Sequence, residues 1–220
     1  MMIKRFLMTA ALALTAAGSA GAATLSINGG TAGTIPSAGQ TNDVLNGLGM
    51  SVPLSGYFEA SIGANLGAKD KVLVEVMGYE AGFKNTFTAG SGSFTSAPGK
   101  LVAANMTSPL ARWTTTSTSG GLLSFLFQTT GTVPRVLDSD VANGDANLNI
   151  AQYANFFSHQ DTNGRIWLFF DDGGGNDDDD NHDDLVVRLS AVPLPAGLIP
   201  LLTGLAGFGA VGLRRRRKSA

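Results

Sequence analysis

Hydrophobic and polar residues alternate along several short stretches of this 220-residue chain. Val72, Val74 and Val76 recur at every second position, and a β-branched run of period two is typical of a strand. The same alternation predicts strands at Leu122 to Gln128, Arg165 to Phe170 and Leu185 to Leu189, with weaker candidates at Leu25 to Ile27 and Leu54 to Ile62. In Arg165 to Phe170 both faces are apolar.

Turns rich in Gly, Ser, Thr and Asn separate these stretches. Between the two terminal segments, Asn147 to Ser158 is the one stretch that we predict as a helix. Many short strands with almost no helical pattern predict an all-β domain, an antiparallel β-sandwich of the jelly-roll kind. We expect this domain to span residues 24–190.

The N-terminal residues 1–23 have the three parts of a secretory signal peptide. Lys4 and Arg5 are positive, Phe6 to Ala17 is apolar, and Ser19 to Ala23 supplies small residues. Signal peptidase is therefore a predicted partner, with cleavage after Ala22 or Ala23.

The C-terminal part predicts a membrane helix. Ala191 to Leu213 carries no charge and is followed by a basic tail, Arg214, Arg215, Arg216, Arg217 and Lys218, within residues 214–220. A helix from Pro195 to Leu213 is roughly 28 Å long, close to the thickness of a bilayer core. The basic tail should stay in the cytoplasm.

The order of these C-terminal parts resembles the VPLPA type of PEP-CTERM sorting signals. Val192, Pro193, Leu194, Pro195 and Ala196 precede an apolar Gly-rich stretch and the basic tail. The resemblance implies an exported bacterial envelope protein, held in the inner membrane and then processed by an exosortase, a membrane-embedded cysteine transpeptidase-like enzyme. These residues are then a substrate and carry no catalytic group.

Two internal stretches also resemble this group of sorted proteins. They are Gly78 to Phe87, with its Gly-x-Glu-Ala-Gly-aromatic segment, and Phe170 to Arg188, with its Asp-Asp-aliphatic-Val-Val ending. Both support the β-rich, exported interpretation and say little about activity.

The distribution of charged residues along the chain limits the classes of partner that the domain can bind. Seven of the 15 basic residues lie in the two terminal segments, so Thr24 to Ser190 has eight basic and all 17 acidic residues, a net formal charge of −9. Such a domain disfavours nucleic acid and anionic membrane surfaces as partners. The chain has no cysteine, so no disulfide stabilises it.

Eight aspartates crowd the stretch from Asp171 to Asp184. Flanking strand patterns predict a hairpin loop, and a hard cation would relieve the repulsion when it closes. The candidate calcium ligands are Asp171, Asp172, Asp177, Asp179, Asn181, Asp183 and Asp184. The spacing is not that of an EF-hand, because His182 stands at the sixth place and Arg188 at the twelfth. Calcium binding and a solvated acidic loop both stay open.

Other candidate residues have a structural and a functional interpretation. Glu80 suits a buried hydrogen-bonding residue better than a general acid, and His182 suits a surface residue better than a metal ligand. Trp113, Trp167 and Tyr79 could stack on sugars, although core packing is the more frequent role of such aromatics.

The leading hypothesis is a non-enzymatic, exported envelope or matrix protein. One alternative is a calcium-dependent carbohydrate-binding module, with exopolysaccharide as the partner. The other is a secreted hydrolase with a dispersed site, since two catalytic carboxylates can be distant in sequence.

Overall fold

The computed structural model describes residues 23–36, 41–67, 70–130, 139–150, 153–173 and 181–192. These residues form an all-β domain with antiparallel pairing throughout and one short helix, α1 (Asp43–Leu48). The strands are β1 (Thr24–Ile35), β2 (Leu54–Asn65), β3 (Lys71–Ala81), β4 (Lys84–Ala89), β5 (Gly92–Thr95), β6 (Lys100–Ala103), β7 (Ala111–Thr115), β8 (Thr118–Ser119), β9 (Leu122–Leu123), β10 (Phe125–Thr130), β11 (Asp140–Ala142), β12 (Asn155–Gln160), β13 (Ile166–Asp171) and β14 (Leu185–Val192).

The larger sheet has ten strands and curls into a half-barrel. Its order is β6-β3-β14-β13-β12-β2-β9-β8, with β1 paired to β2 and β7 paired to β3. β13 and β14 form the predicted hairpin, in which Phe170 pairs with Leu185 and Ile166 with Leu189. The smaller sheet has the order β11-β10-β4-β5.

A cluster of apolar side chains, the first core, fills the space between the two sheets. Phe125 and Phe127 of the smaller sheet meet Phe156 and Phe170 of the larger one, and Phe87 meets Trp113. The rings of Phe127 and Phe170 stack with their centroids 4.6 Å apart. Packing of this kind gives the domain a sandwich-like architecture.

A second core lies on the other face of the larger sheet. The alternation along β13 explains both cores, because Ile166, Leu168 and Phe170 enter the first while Trp167 and Phe169 enter the second. Strands that are apolar on both faces are typical of a sheet covered on both sides. The predicted two-faced strand at Arg165 to Phe170 is thus confirmed.

The paired strands β1 and β2, here called the ribbon, cross from one core to the other. Ile27 packs against the first core and Ile35 lies in the second, although an even spacing would put both on one face of a regular strand. Between them Gly29 and Gly30 have φ of 68° and 88°, and Glu59 on the opposite strand has φ of 56°. These left-handed positions turn the ribbon over, and glycine takes them readily.

Helix α1 covers the second core with Val44, Leu45 and Leu48. Its N-cap is Asn42, whose side chain accepts a hydrogen bond from the Leu45 backbone N–H at 2.7 Å. Gly49 ends the helix in the left-handed conformation. Six residues are too few to produce a helical period in the sequence.

The helix predicted at Asn147 to Ser158 is wrong, because Asn155–Gln160 is strand β12. Its neighbouring rings divide between the two faces of the sheet, with Phe156 in the first core and Phe157 in the second. Burial on both faces favours an extended chain over a helix at this place. The strand predicted at Leu122 to Gln128 is interrupted at Ser124 and forms β9 and β10.

A buried ion pair joins β3 to β14. Arg188 donates from Nε to Glu75 Oε2 at 2.9 Å, and Nη1 donates to the Met106 carbonyl at 3.2 Å. Its guanidinium lies 5.2 Å from the centre of the Trp167 ring. Glu75, which the alternation predicts as a surface residue, is 7% exposed because its face of β3 meets the second core.

Strand β14 runs to Val192, two residues past the predicted end of the domain at Ser190. Ala191 pairs with Val72 and Val192 with Lys71. Among the residues that the structure describes, no helix is long and apolar enough to cross a membrane. The predicted signal peptide (1–23), sorting motif and membrane helix (191–213) and basic tail (214–220) lie outside the described residues, except for Ala23, Ala191 and Val192.

Candidate functional site

The hairpin of β13 and β14 gathers the described part of the acidic stretch into one place. We call this place the acidic node and define it as Asp171, Asp172, Asn181, His182, Asp183 and Asp184. Asp171, Asp172 and Asp183 are at most 2% exposed, whereas a solvated loop would leave them in water. Burial of carboxylates requires hydrogen-bond donors around them.

Donors from the smaller sheet reach the node through Asn85 of β4. The Asn85 side-chain amide donates to Asp172 Oδ2 at 2.7 Å, and its oxygen accepts from the Thr129 hydroxyl of β10 at 2.8 Å. The Asp172 backbone N–H donates to Asp184 Oδ2 at 2.8 Å. The Asn85 side chain therefore connects the acidic node to β4 and β10 of the smaller sheet.

Donors from α1 and β3 reach the other side of the node. The Asp43 backbone N–H, at the first residue of α1, donates to Asp183 Oδ2 at 2.8 Å. Asn42 donates from Nδ2 to the Asn181 carbonyl at 2.7 Å, and the Glu80 N–H donates to the Asp183 carbonyl at 2.8 Å. A carboxylate at the start of a helix is stabilised by the backbone N–H groups there.

His182 is fully buried, which corrects its prediction as a surface residue. It has φ of 58°, and its ring packs edge-on against Phe58 and Phe157 at centroid distances of 5.4 and 6.3 Å. Nε2 lies 2.8 Å from Asn155 Oδ1 and donates to it, since an amide oxygen only accepts. Nδ1 lies 3.6 Å from Asp171 Oδ2.

Glu80 is half-buried and lies beside Asp43. Burial raises the pKa of Glu80, and the neighbouring charge of Asp43 and a hydrogen bond between the two carboxyl groups raise it further. Burial and the neighbouring carboxylate thus keep the Glu80 carboxyl protonated to a higher pH than usual.

The predicted sugar-stacking aromatics face the core instead, as their structural interpretation predicts. Trp167 is fully buried and Tyr79 is 7% exposed. Trp113 is partly buried and donates from Nε1 to the Ala89 carbonyl at 3.0 Å. These three residues form no platform for a ligand.

An open groove of about 780 Å³ lies along the ribbon and β12. The described residues that line it carry no acidic or basic group apart from His159, and they are Ile27, Gly29, Ala32, Gly33, Thr34, Ser55, Gly56, Tyr57, His159 and Gln160. Tyr57 is 42% exposed, and the Ser158 hydroxyl donates to its carbonyl at 3.2 Å. We call this feature the ribbon groove.

The ribbon groove offers both donors and acceptors. His159 Nδ1 lies 2.7 Å from the Ser55 carbonyl, which can only accept, so Nδ1 carries the proton and neutral Nε2 is an acceptor. Gln160 donates from Nε2 to the Leu25 carbonyl at 3.4 Å, which leaves Oε1 as an acceptor. Sequence reasoning missed this site, because its residues come from three separate segments, in β1, β2 and β12, and none is conspicuous.

Comparison of the chain with protein-family models, with curated proteins and with solved structures finds no match. Any functional argument therefore depends on the residues of this chain.

The candidate calcium ligands are only partly within the described residues. Asp177 and Asp179 lie outside them. Within them, no group of three or more acidic or histidine side chains converges as metal ligands do. The described carboxylates accept hydrogen bonds from protein N–H groups instead, so calcium binding stays a prediction.

Replacement of Asn85 tests whether the acidic node stabilises the fold. Asn85→Ala leaves the buried Asp172 carboxylate without its amide donor, and we expect a loss of about 2–4 kcal/mol in the free energy of unfolding. Thr86→Ala is the matched control, because the Thr86 hydroxyl meets Thr95 on the exposed face of the same strand. Equal losses for both variants in urea unfolding would contradict the assignment.

Thermal unfolding in calcium tests the metal prediction. Extracellular calcium sites bind with dissociation constants on the order of 10⁻⁴–10⁻³ M, and a tenfold excess over that constant stabilises by roughly 1.4 kcal/mol. The melting temperature should then rise by several degrees between chelator and millimolar calcium, and Asp177→Asn with Asp179→Asn should abolish the rise. No change at fixed ionic strength would count against calcium.

Proposed function

We propose that this chain is an exported protein of the bacterial cell envelope, with a structural or interaction role and no catalytic activity. One observation carries the proposal, namely the order of the motif Val192 to Ala196, the uncharged stretch to Leu213 and the basic tail. A predicted signal peptide at residues 1–23 agrees with it. Signal peptidase and an exosortase are the processing enzymes, and the chain is the substrate of both.

The bounds of the described domain support this arrangement. Strand β1 begins at Thr24, next to the predicted signal-peptide cleavage sites, and β14 ends at Val192, next to Pro193. The resemblance implies processing at or near Val192 to Ala196, and Val192 is the last residue with a described pairing, that with Lys71.

Before processing, the predicted helix within residues 191–213 anchors the chain in the inner membrane, and the basic tail stays in the cytoplasm. After processing, the domain belongs to the envelope or the extracellular matrix. Its net charge of −9 disfavours nucleic acid as a partner.

We assign the domain to the jelly-roll kind of sandwich on the strength of its two facing antiparallel sheets. A jelly roll has eight strands in two Greek keys.

Carbohydrate binding is the second candidate function, and the ribbon groove favours it over hydrolysis. The groove exposes an aromatic ring among uncharged hydrogen-bonding groups. Among the described residues, no pair of carboxylates lines the ribbon groove, whereas glycoside hydrolysis uses two.

Intact-mass spectrometry of the protein from its native envelope tests the proposed sorting. We expect the mature chain to begin at Ala23 or Thr24 and to lack Arg214 to Ala220. The matched control is the same chain in cells without exosortase, where the basic tail should remain. A wild-type envelope form with an intact tail would overturn the proposal.

A further inference from the structure

We infer that the ribbon groove binds a neutral polysaccharide chain, with the Tyr57 ring as the stacking surface for one sugar. The inference goes beyond the proposed export and sorting and does not depend on either. It assigns the interaction role of the domain to one place and one class of ligand.

Tyr57 has the properties of a stacking residue. Its side chain is 42% exposed, while its carbonyl is fixed by the Ser158 hydroxyl and its residue pairs with Ser158 across the sheet. A rigid backbone below an exposed ring limits the conformational entropy lost on binding. The flat C–H face of a pyranose fits such a ring, since aromatic side chains combine a large apolar face with a polar edge.

Hydroxyl groups of a sugar need acceptors and donors around that ring. Nε2 of His159 and Oε1 of Gln160 accept, while the hydroxyls of Thr34 and Ser55 both donate and accept. Thr34 and Ser55 pair across the ribbon, so their side chains lie on the same face. Each of these four groups can form a hydrogen bond with a hydroxyl of a polyhydroxylated ligand.

Charge favours a neutral glycan. Among the residues that the structure describes, no charged side chain lines the ribbon groove, so an anionic ligand would find no described cation there. The domain around it has a net formal charge of −9, which repels uronates and phosphates. A volume of about 780 Å³ is within the range of small-ligand sites, and the groove is open to solvent.

Two glycines allow the ribbon, which forms part of the groove, to lie close to the second core. A Cβ atom at Gly33 would overlap the Phe58 ring, and one at Gly56 would overlap the Phe157 ring and the Ser158 carbonyl. Gly33 and Gly56 pair directly across the ribbon. The two glycines therefore let the ribbon lie close to the second core, with its Tyr57 face outward.

Calorimetric titration of the full chain tests the inference. The protein is held in micelles of a detergent without a sugar headgroup and titrated with neutral hexaoses of glucose, xylose and mannose, and with oligogalacturonate as the charged counterpart. We expect at least one neutral hexaose to bind with a dissociation constant on the order of 10⁻⁴–10⁻³ M. Oligogalacturonate should bind at least about tenfold more weakly.

Two variants place the binding at the groove. Tyr57→Ala should weaken binding at least about tenfold, and Tyr57→Phe should change it less than about threefold because the ring is retained. Leu101→Ala, at a residue 48% exposed on β6, is the control for loss of an exposed apolar side chain and should bind as the wild type does. Thermal unfolding of each variant shows that the domain is folded.

Several results would overturn the inference. They are no binding of any neutral hexaose at about 10 mM, equal or tighter binding of oligogalacturonate, and unchanged binding in Tyr57→Ala. Normal processing of Tyr57→Ala, measured by its mature mass, separates failure of this inference from failure of the proposed sorting.

Discussion

Burial of carboxylates at the end of the β13–β14 hairpin is the constraint on which the rest of this structure depends. Asp171, Asp172 and Asp183 leave water, and each requires donors that its own hairpin supplies only in part. Asn85 in the smaller sheet donates to Asp172, and the Asp43 N–H at the first residue of α1 donates to Asp183. The acidic end of the hairpin is thus the place where the smaller sheet and helix α1 are joined to β13 and β14.

The same node supports the ribbon groove. The buried ring of His182 packs against Phe58, and Phe58 packs against Phe157 at a centroid distance of 4.8 Å. Gly33 lies over Phe58, so the ribbon packs on the Phe58 ring, which in turn packs on His182 of the acidic node. The left-handed residues Gly30 and Glu59 turn the ribbon so that the Tyr57 face points outward. The acidic node, the ribbon and the ribbon groove are therefore connected by a continuous series of packing contacts.

Sequence patterns predict the strands whose environment is uniform along their length. Ile166 to Phe170 is apolar on both faces, and the structure covers both. The patterns fail where distant residues decide the outcome. His182 and the aspartates beside it look solvated in sequence, because their donors, Asn42 and Asn85, are about 100 residues or more away. Strand β12 was predicted as helix, since its two-sided burial depends on neighbours, and the ribbon groove has no local signature at all.

Native-state hydrogen exchange tests the central role of the acidic node most directly. The backbone amides of Asp43 and Asp172, which donate to Asp183 and Asp184, should exchange only through global unfolding, with the same free energy as the Leu168 amide in β13. Exposed turn amides, such as that of Asn163, give the local-exchange reference. If the Asp43 and Asp172 amides exchange at the reference rate while Leu168 stays protected, the node does not hold the layers together.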